Sequence, residues 1–209
     1  MDSVFGFKGK DFVCLVADTV FKHSILVLKE CADRTVRIHE GQGMIVTGED
    51  GDVLQFTDYI KHSLKLRSLR QGYTPTVKSS ANFIRTELAR AIREGPYNVY
   101  VITGGVDATG PQLYYMDYLG TMGEDNFCVQ GYSMYFLLSV MSEYWKPDMT
   151  KQDALDLIKH CIDTLGRRFL LQPTKFTASF IYQSLTEKEF INYVPQSIDP
   201  TKQQLPNIM

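Results

Sequence analysis

The sequence lacks several features that would assign a function directly. No apolar run approaches the roughly 20 residues that a membrane-spanning helix needs. The net charge is only -2 and the pI is near 6.1, so the usual electrostatic argument for nucleic-acid binding is missing. Asp2 and the lack of an apolar N-terminal segment argue against a signal peptide. These absences indicate an ordinary globular protein.

Cysteine is scarce, and patterns typical of metal sites are missing. The four cysteines form no Cys-x-x-Cys pair, and three lie in apolar segments. This predicts reduced, buried thiols in a reducing compartment, the cytosol or the nucleus. The four histidines share no metal-ligand spacing. Glu49, Asp50 and Asp52 lack the rest of a calcium-binding loop and suit the start of a helix better. The sequence therefore predicts neither a metal nor a cofactor.

The chain has the composition of one folded domain. Its 209 residues are 44% hydrophobic and 22% charged, which is typical of globular proteins with a substantial core. The domain is predicted to span residues 1–194. Residues 195–209 contain three prolines and no periodicity, so this extension is expected to order only by packing on a neighbouring chain.

Two hydrophobic periodicities alternate along the chain. Apolar runs predict strands, after a short opening strand, at residues 12–17, 24–28, 34–39, 44–47, 98–103, 112–118, 127–130, 175–182 and 190–194. Spacings of three and four predict helices at 52–70, from Ser79 or Ser80 to a stop at Gly95-Pro96, at 132–144, and from a Thr150 cap to about Gly166. The third helix is apolar almost all round, which predicts heavy burial.

The order of these elements favours one fold class. Helices come in pairs, whereas a doubly wound parallel sheet needs single helices between strands. The economical solution is an α+β protein in which two antiparallel sheets pack together and each sheet carries a helical pair on its outer face. The predicted fold is a four-layer α-β-β-α sandwich.

Three strings in the sequence carry a resemblance to a known family. They are VAD at 16–18, GEDGD at 48–52 and GPQLYYMDYLG at 110–120. With the order of elements, they resemble the beta-type subunits of the 20S proteasome, which are N-terminal-nucleophile hydrolases by fold, over residues 2–193. The last string is most similar to the eukaryotic type-4 class, which is non-catalytic. The alpha-type signature Ser-Pro-Glu-Gly-Arg is absent.

The resemblance implies that the nucleophile has been lost. In active members a threonine at the start of the first strand attacks the substrate, and its own amine is the base. An ungapped count from Asp18 places that threonine on Asp2, directly after Met1, so neither a hydroxyl nor a propeptide is expected. Two family positions are retained: Asp18, the aspartate after the first hairpin, and Gly48, whose N–H serves the oxyanion.

Other catalytic positions of the family are degenerate. Its lysine falls on Arg34, which stays protonated and cannot exchange a proton as lysine can. Its Gly-Ser-Gly turn has Gly131 in place of the serine. Its Arg-Asp-x-x-Ser string has Arg168 in place of the aspartate and Leu171 in place of the serine. The resemblance therefore implies a member without proteolytic activity.

The retained residues also have structural explanations, which we prefer. Asp18 can provide a polar end to a buried strand, and Gly48 can supply a positive φ where a strand turns into a helix. Ser3 is a conceivable substitute nucleophile, but nothing in the sequence supplies the rest of a catalytic constellation.

Tyr114, Tyr115 and Tyr118 are the candidate interface residues. They alternate about a predicted strand, so one is expected in the core and the others on a surface that meets a partner.

The expected function is structural support of ATP- and ubiquitin-dependent protein degradation, in the cytoplasm and nucleus. By resemblance, the partners are the type-3 and type-5 beta subunits of the same ring, the opposite beta ring and the alpha ring. A small-molecule pocket is hypothesised at the surface shared with the type-5 subunit, and no nucleic-acid or membrane partner is expected. Two alternatives stay open: a cryptic N-terminal-nucleophile hydrolase, and a free-standing adaptor or homo-oligomer of the same fold.

Overall fold

The computed structural model describes residues 3–23, 26–30, 32–169 and 175–192. In chain order the elements are β1 (Ser3–Lys8), β2 (Val13–Asp18), β3 (Phe21–His23), β4 (Leu26–Lys29), β5 (Thr35–His39), β6 (Gln42–Gly48), α1 (Asp50–Gln71), α2 (Val77–Ala91), β7 (Val99–Asp107), β8 (Gly110–Met116), β9 (Met122–Glu124), β10 (Phe127–Gly131), α3 (Met134–Tyr144), α4 (Lys151–Arg168), β11 (Lys175–Ile181) and β12 (Thr186–Asn192). The predicted alternation of strands and helix pairs is confirmed. The predicted tail, residues 195–209, lies outside the described residues.

Two five-stranded antiparallel sheets form the centre of the molecule. Their strand orders are β10-β1-β2-β11-β12 and β5-β6-β7-β8-β9. A separate ribbon pairs β3 with β4. The chain crosses from the first sheet to the second after this ribbon, and it returns to the first sheet at β10.

Three apolar cores hold the layers together. One core joins the first sheet to α3 and α4, and a second joins the other sheet to α1 and α2. The third lies between the two sheets, where Val13 and Leu15 of β2 meet Ile45 and Ile102. This arrangement is the predicted α-β-β-α sandwich. Strand β2 is buried on both faces because it lies between two cores, which explains its continuous apolar sequence.

Several predicted boundaries differ from the structure. The strand predicted at 24–28 corresponds to β4, at Leu26–Lys29, whereas its partner β3 and the short β9 were not predicted. Strand β8 ends at Met116, so Tyr118 lies in the turn that follows it. Helix α4 continues through the buried Gly166 to Arg168. Its predicted cap at Thr150 is confirmed as a capping box with Asp153.

The start of α2 was predicted three or four residues too late. Thr76 is the N-cap, and its hydroxyl accepts the Ser79 N–H at 3.2 Å. Two contacts from the neighbouring sheet fix this start: Asp107 accepts the Val77 N–H at 3.2 Å, and the Gln42 amide donates to the Pro75 carbonyl at 2.6 Å. Tertiary hydrogen bonds therefore selected the threonine over the later serines.

The prediction that the third helix is heavily buried was wrong. In α3 only Leu137 and Met141 are buried, while Tyr135 is 75% exposed and Leu138 is also exposed. The helix packs through one face onto β10 and α4, which leaves its other apolar residues outward. An apolar sequence shows that a helix has many residues that favour burial, but the number that are buried depends on the elements that pack on it.

Gly48, at the junction of β6 and α1, is required by the local geometry. Its φ is +146°, and a Cβ there would lie 2.1 Å from the carbonyl oxygen of Asn98. The next residue, Glu49, donates its N–H to that same oxygen at 3.0 Å, and the Asn98 N–H is accepted by Asp52 at 2.8 Å. The close approach of these segments gives Gly48 a structural reason independent of catalysis.

The cap assignment leads to a test by single substitutions. We expect Thr76→Ala to lower the free energy of unfolding by about 1 kcal/mol, because the Ser79 N–H loses its acceptor. Ser79→Ala is the matched control, because its hydroxyl is not the cap, and it should change stability by less than about 0.5 kcal/mol. Denaturant unfolding of the purified chain measures both, and equal effects would contradict the assignment.

The junction leads to a second test. We expect Gly48→Ala to destabilise the chain by at least about 2 kcal/mol, since the new methyl group meets backbone and the φ is strained for an L-residue. Gly51→Ala, in the first turn of α1 with nothing near its Cβ, should be neutral or stabilise by up to about 1 kcal/mol. Thermal unfolding of the two variants side by side makes the comparison.

Candidate functional site

The structure brings Asp18 and Arg34 into direct contact. Asp18 is the last residue of β2, and Arg34 directly precedes β5. The Arg34 Nε lies 3.3 Å from the Asp18 Oδ1, with side chains 11% and 2% exposed respectively. The guanidinium also lies 5.9 Å from the centre of the Phe21 ring, within range of a cation–π contact. Asp18, which the resemblance matched to the family's aspartate, and Arg34, which the ungapped count placed at the family's lysine, form a buried ion pair.

Backbone hydrogen bonds fix the position of this ion pair. Asp18 is paired with Phe176 across β2 and β11, and the next residue, Thr19, donates its N–H to the Lys175 carbonyl at 3.0 Å. The Thr19 carbonyl in turn accepts the Ala32 N–H at 2.8 Å. Since Asp18 belongs to the first sheet and Arg34 adjoins the second, the ion pair connects the two sheets at one end of the sandwich.

The start of β1 lies beside the end of β10. Ser3 is buried and pairs with Gly131, whose φ is +77°. Gly131 therefore provides a left-handed backbone conformation at the position that the resemblance assigns to the family's serine. Asp2, the position assigned to the missing threonine, lies outside the described residues.

The remaining degenerate positions are placed only in part. Arg168 is the last residue of α4 and is exposed to solvent. Leu171 lies outside the described residues. Gly48 sits at the β6–α1 junction, where its conformation is set by Asn98. The roles assigned to these positions by resemblance remain predictions.

The buried thiols offer no alternative nucleophile. Burial raises the pKa of Cys14 and of Cys128 well above the usual range, and it raises the pKa of Cys161 to about 12. A cysteine attacks as the thiolate, which these pKa values suppress near neutral pH. Cys14, Cys128 and Cys161 are thus core residues.

Three buried hydroxyls near the sheets escaped the sequence analysis. Thr177 and Ser179 lie on β11, and Thr35 follows the paired Arg34. Their side-chain oxygens are buried, with no hydrogen-bond partner among the described residues. These are small polar residues within apolar strands, so the hydrophobic periodicity of the sequence gave no signal by which they could have been identified.

One of the three tyrosines was expected in the core, and the structure shows that this residue is Tyr114, which removes it from the candidate interface residues. Tyr114 is buried against the core under α1 and α2, and its hydroxyl donates to Gln112 at 3.0 Å. Burial, with the nearby charge of Glu124, raises its pKa to about 12. Tyr115 and Tyr118 are exposed, and the Tyr118 ring packs edge-on against Tyr100. Only these two remain interface candidates.

An open depression of about 260 Å³ lies between the end of α3 and the start of α4. The rings of Tyr144 and His160 stack at 4.8 Å on its wall. Three acids line it: Asp148, Asp153, which belongs to the α4 capping box, and Asp156, which pairs with Lys159. In the part of the chain that the structure describes, no three His, Cys, Asp or Glu side chains are arranged to hold a metal. None of the described helices is both long and apolar enough to cross a membrane.

Comparison with known proteins gives matches along most of the chain. A sequence model of the family described as "Proteasome subunit" matches residues 2–181. The chain is 39% identical over 185 residues to proteasome subunit beta type-2 of Dictyostelium discoideum, covering 87% of this chain and 93% of the relative. It is 37% identical over 171 residues to proteasome subunit beta type-4 of Saccharomyces cerevisiae, covering 80% of this chain and 86% of that relative.

A third relative matches over an even longer stretch. The chain is 34% identical over 198 residues to a probable proteasome subunit beta type-4 of Meyerozyma guilliermondii, covering 93% of this chain and 100% of the relative. The relatives carry both type-2 and type-4 names, and all are beta-type. Together with the two antiparallel sheets between helix pairs, these matches establish that the chain belongs to the proteasome subunit family, among its beta-type members.

Proposed function

We propose that this beta subunit of the 20S core is non-catalytic and serves to build the inner ring and support the active subunits beside it. The single observation that carries the proposal is the buried ion pair between Asp18 and Arg34. In this chain the position of the family's catalytic lysine is a guanidinium that is held by a carboxylate.

The chemistry of arginine supports this proposal. A guanidinium stays protonated at any physiological pH, so Arg34 can neither accept a proton nor return one during a reaction. Its contacts with Asp18 and Phe21 hold it in one place. The pair therefore links the two sheets, while Asp2, Gly131 and Leu171 stand at the positions where the family has hydroxyl groups.

Exposed apolar residues support a role in assembly. Leu26, Val27 and Leu28 are three consecutive exposed residues of β4, and Tyr135 and Leu138 are exposed on α3. Several large apolar side chains on one surface mark protein interfaces, and stable interfaces bury on the order of 1,200–2,000 Å². The proposed partners are the type-3 and type-5 beta subunits in the same ring, the opposite beta ring and the alpha ring.

Two finer parts of the proposal concern specific surfaces. The extension at 195–209 is proposed to pack on an adjacent chain. The exposed Tyr115 and Tyr118 motivate the proposed small-molecule pocket at the surface shared with the type-5 subunit. The proposed location is the cytoplasm and nucleus.

Native mass spectrometry and covalent labelling test the function together. Tagged protein from its own cells should be recovered in a particle of proteasome mass, and a threonine-directed inhibitor should add no mass to this chain. Active beta subunits in the same particle are the positive control for labelling. An adduct on this chain would support the cryptic hydrolase, and recovery as a monomer or homo-oligomer would support the free-standing alternative.

The ion pair leads to a prediction about stability. Arg34→Met should lower the free energy of unfolding by about 3–5 kcal/mol, because it leaves the Asp18 carboxylate buried without its partner. The double variant Asp18→Asn/Arg34→Met should lose clearly less than the sum of the single losses, since both charges are gone. Denaturant unfolding of the four chains measures this coupling, and additive effects would show that the pair is not a structural unit.

A further inference from the structure

Several buried hydroxyl groups in this protein show how such groups are satisfied. The Thr103 hydroxyl donates to the Gly43 carbonyl at 3.1 Å, and the Ser80 hydroxyl donates to the Gln42 side chain at 2.8 Å. A buried hydroxyl without a hydrogen bond costs free energy, because it has given up its bonds to water. A buried hydroxyl in a native fold is therefore expected to have a partner.

Thr35, Thr177 and Ser179 depart from this pattern. These residues are 7%, 1% and 0% exposed respectively. Their side-chain oxygens have no hydrogen-bond partner in the part of the chain that the structure describes. If the three hydroxyls lie in one place, a single occupant between them would satisfy all of them.

The two hydroxyls on β11 face the second sheet. Phe176, Ala178 and Phe180 of the same strand belong to the core under α3 and α4. Successive side chains of a strand point to opposite faces of the sheet. Thr177 and Ser179, which alternate with those residues, therefore point away from the helices and into the layer between the two sheets.

The register of β11 against β2 places these hydroxyls within that layer. Thr177 is opposite Ala17, and Ser179 is opposite Leu15. Both partners belong to the core between the sheets, where Ala17 is the smallest side chain. Because Ala17 directly precedes Asp18, the two hydroxyls lie toward the end of the sandwich that holds the ion pair. Small side chains at this end leave more room than the branched residues elsewhere in the layer.

Thr35 faces the same layer from the second sheet. It is opposite Ile45 across β5 and β6, and Ile45 belongs to the core between the sheets. The next residue, Val36, packs on the other side, against the core under α1 and α2. Thr35 also directly follows Arg34, the partner of Asp18. The three hydroxyls therefore lie on facing sheets at the same end of the sandwich.

We infer that Thr35, Thr177 and Ser179 bind ordered water between the two sheets, beside the Asp18–Arg34 pair. Buried water in proteins typically makes two to four hydrogen bonds to buried polar groups that lack other partners. Three hydroxyls on two facing sheets provide this number of bonds. The backbone groups of the strands are engaged in the ladders, so the side chains are what the water would bridge.

Water matches these groups better than an ion or an organic molecule does. A hydroxyl both donates and accepts hydrogen bonds, and water can complement it in either direction. The cation beside the site, Arg34, is already paired with Asp18, which disfavours an anion. Among the described residues, no three His, Cys, Asp or Glu side chains are arranged to hold a metal. An organic molecule would need an opening, whereas the three residues are at most 7% exposed.

Water bound at this site would join strands that belong to different sheets. Strand β5 is the edge strand of the second sheet, and β11 belongs to the first. A hydrogen bond through water is enthalpically nearly as good as a direct one. The site would thus add a second polar link between the sheets next to the ion pair. The inference concerns the interior of the chain, so it stands whether or not the subunit is catalytic.

A density map of the assembled particle, at a resolution that shows ordered water, tests this inference directly. We expect a water oxygen within about 2.6–3.2 Å of at least two of the three hydroxyls, with one from each sheet. Direct contacts between the hydroxyls and protein acceptors, without water between them, would overturn the inference. Density bonded to several oxygens at about 2.0–2.6 Å would identify a metal ion and would overturn it as well.

Substitutions that remove single hydroxyls give an independent test. Thr177→Val and Ser179→Ala keep the size of the side chain nearly unchanged. Each should lower the unfolding temperature of the purified full-length chain by about 2–4 °C, because the hydrogen bond to water is lost. The double variant should lose less than the sum of the two, since both hydroxyls bind the same water.

Thr103→Val is the matched comparison. It removes a buried strand hydroxyl that bonds directly to the Gly43 carbonyl, so a similar loss is expected. Unchanged or higher unfolding temperatures for Thr177→Val and Ser179→Ala, with the loss in Thr103→Val, would show that the two hydroxyls have no partner and would overturn the inference. Maps of particles that contain the variants should lack the water nearest to the removed hydroxyl, and this result does not depend on folding of the chain alone.

Discussion

Packing of the two sheets against each other is the constraint on which the rest of this structure depends. Val13 and Leu15 of β2 meet Ile45 and Ile102 of the second sheet, and the sheets approach so closely that a Cβ on Gly104 would lie 2.9 Å from the Val13 side chain. Strand β2 is therefore enclosed on both faces. Apolar packing stops at the end of β2. A charged side chain can be buried there only if a partner from the side of the opposite sheet pairs with it.

The Asp18–Arg34 pair follows from that constraint. The resemblance predicts that these two positions correspond to an aspartate and a lysine that serve the reaction in the family's active members. In this chain they join the first sheet to the segment that leads into the second. A buried charge cannot be removed alone without leaving its partner uncompensated, so such a pair can be kept for structural reasons after its chemical use is lost. The proposed non-catalytic role is consistent with a pair of this kind.

The exposed apolar side chains are the second feature that bears on the role of this protein. Apolar side chains on α3 and β4 point outward from a well-packed molecule. An apolar side chain that stays exposed on a monomer contributes no hydrophobic free energy, whereas a subunit of an assembly gains that free energy when its interfaces are buried. The outward residues thus belong to the energetics of assembly, and the inward ones to the folding of the chain.

The sequence by itself determined the elements whose causes are local. Hydrophobic periodicity predicted the helices and most strands, and the Thr150 capping box was predicted because both of its partners lie within four residues. The tertiary structure decided what depends on distant contacts. Thr76 is the α2 cap because Gln42 and Asp107 bind the residues on either side of it. Tyr114 lies in the core because of the face of β8 on which it stands. Helix α3 is partly exposed because it packs on β10 and α4 through one face. Hydrophobic periodicity shows which residues avoid water, but the packing of the sheets and helices determines which elements cover those residues.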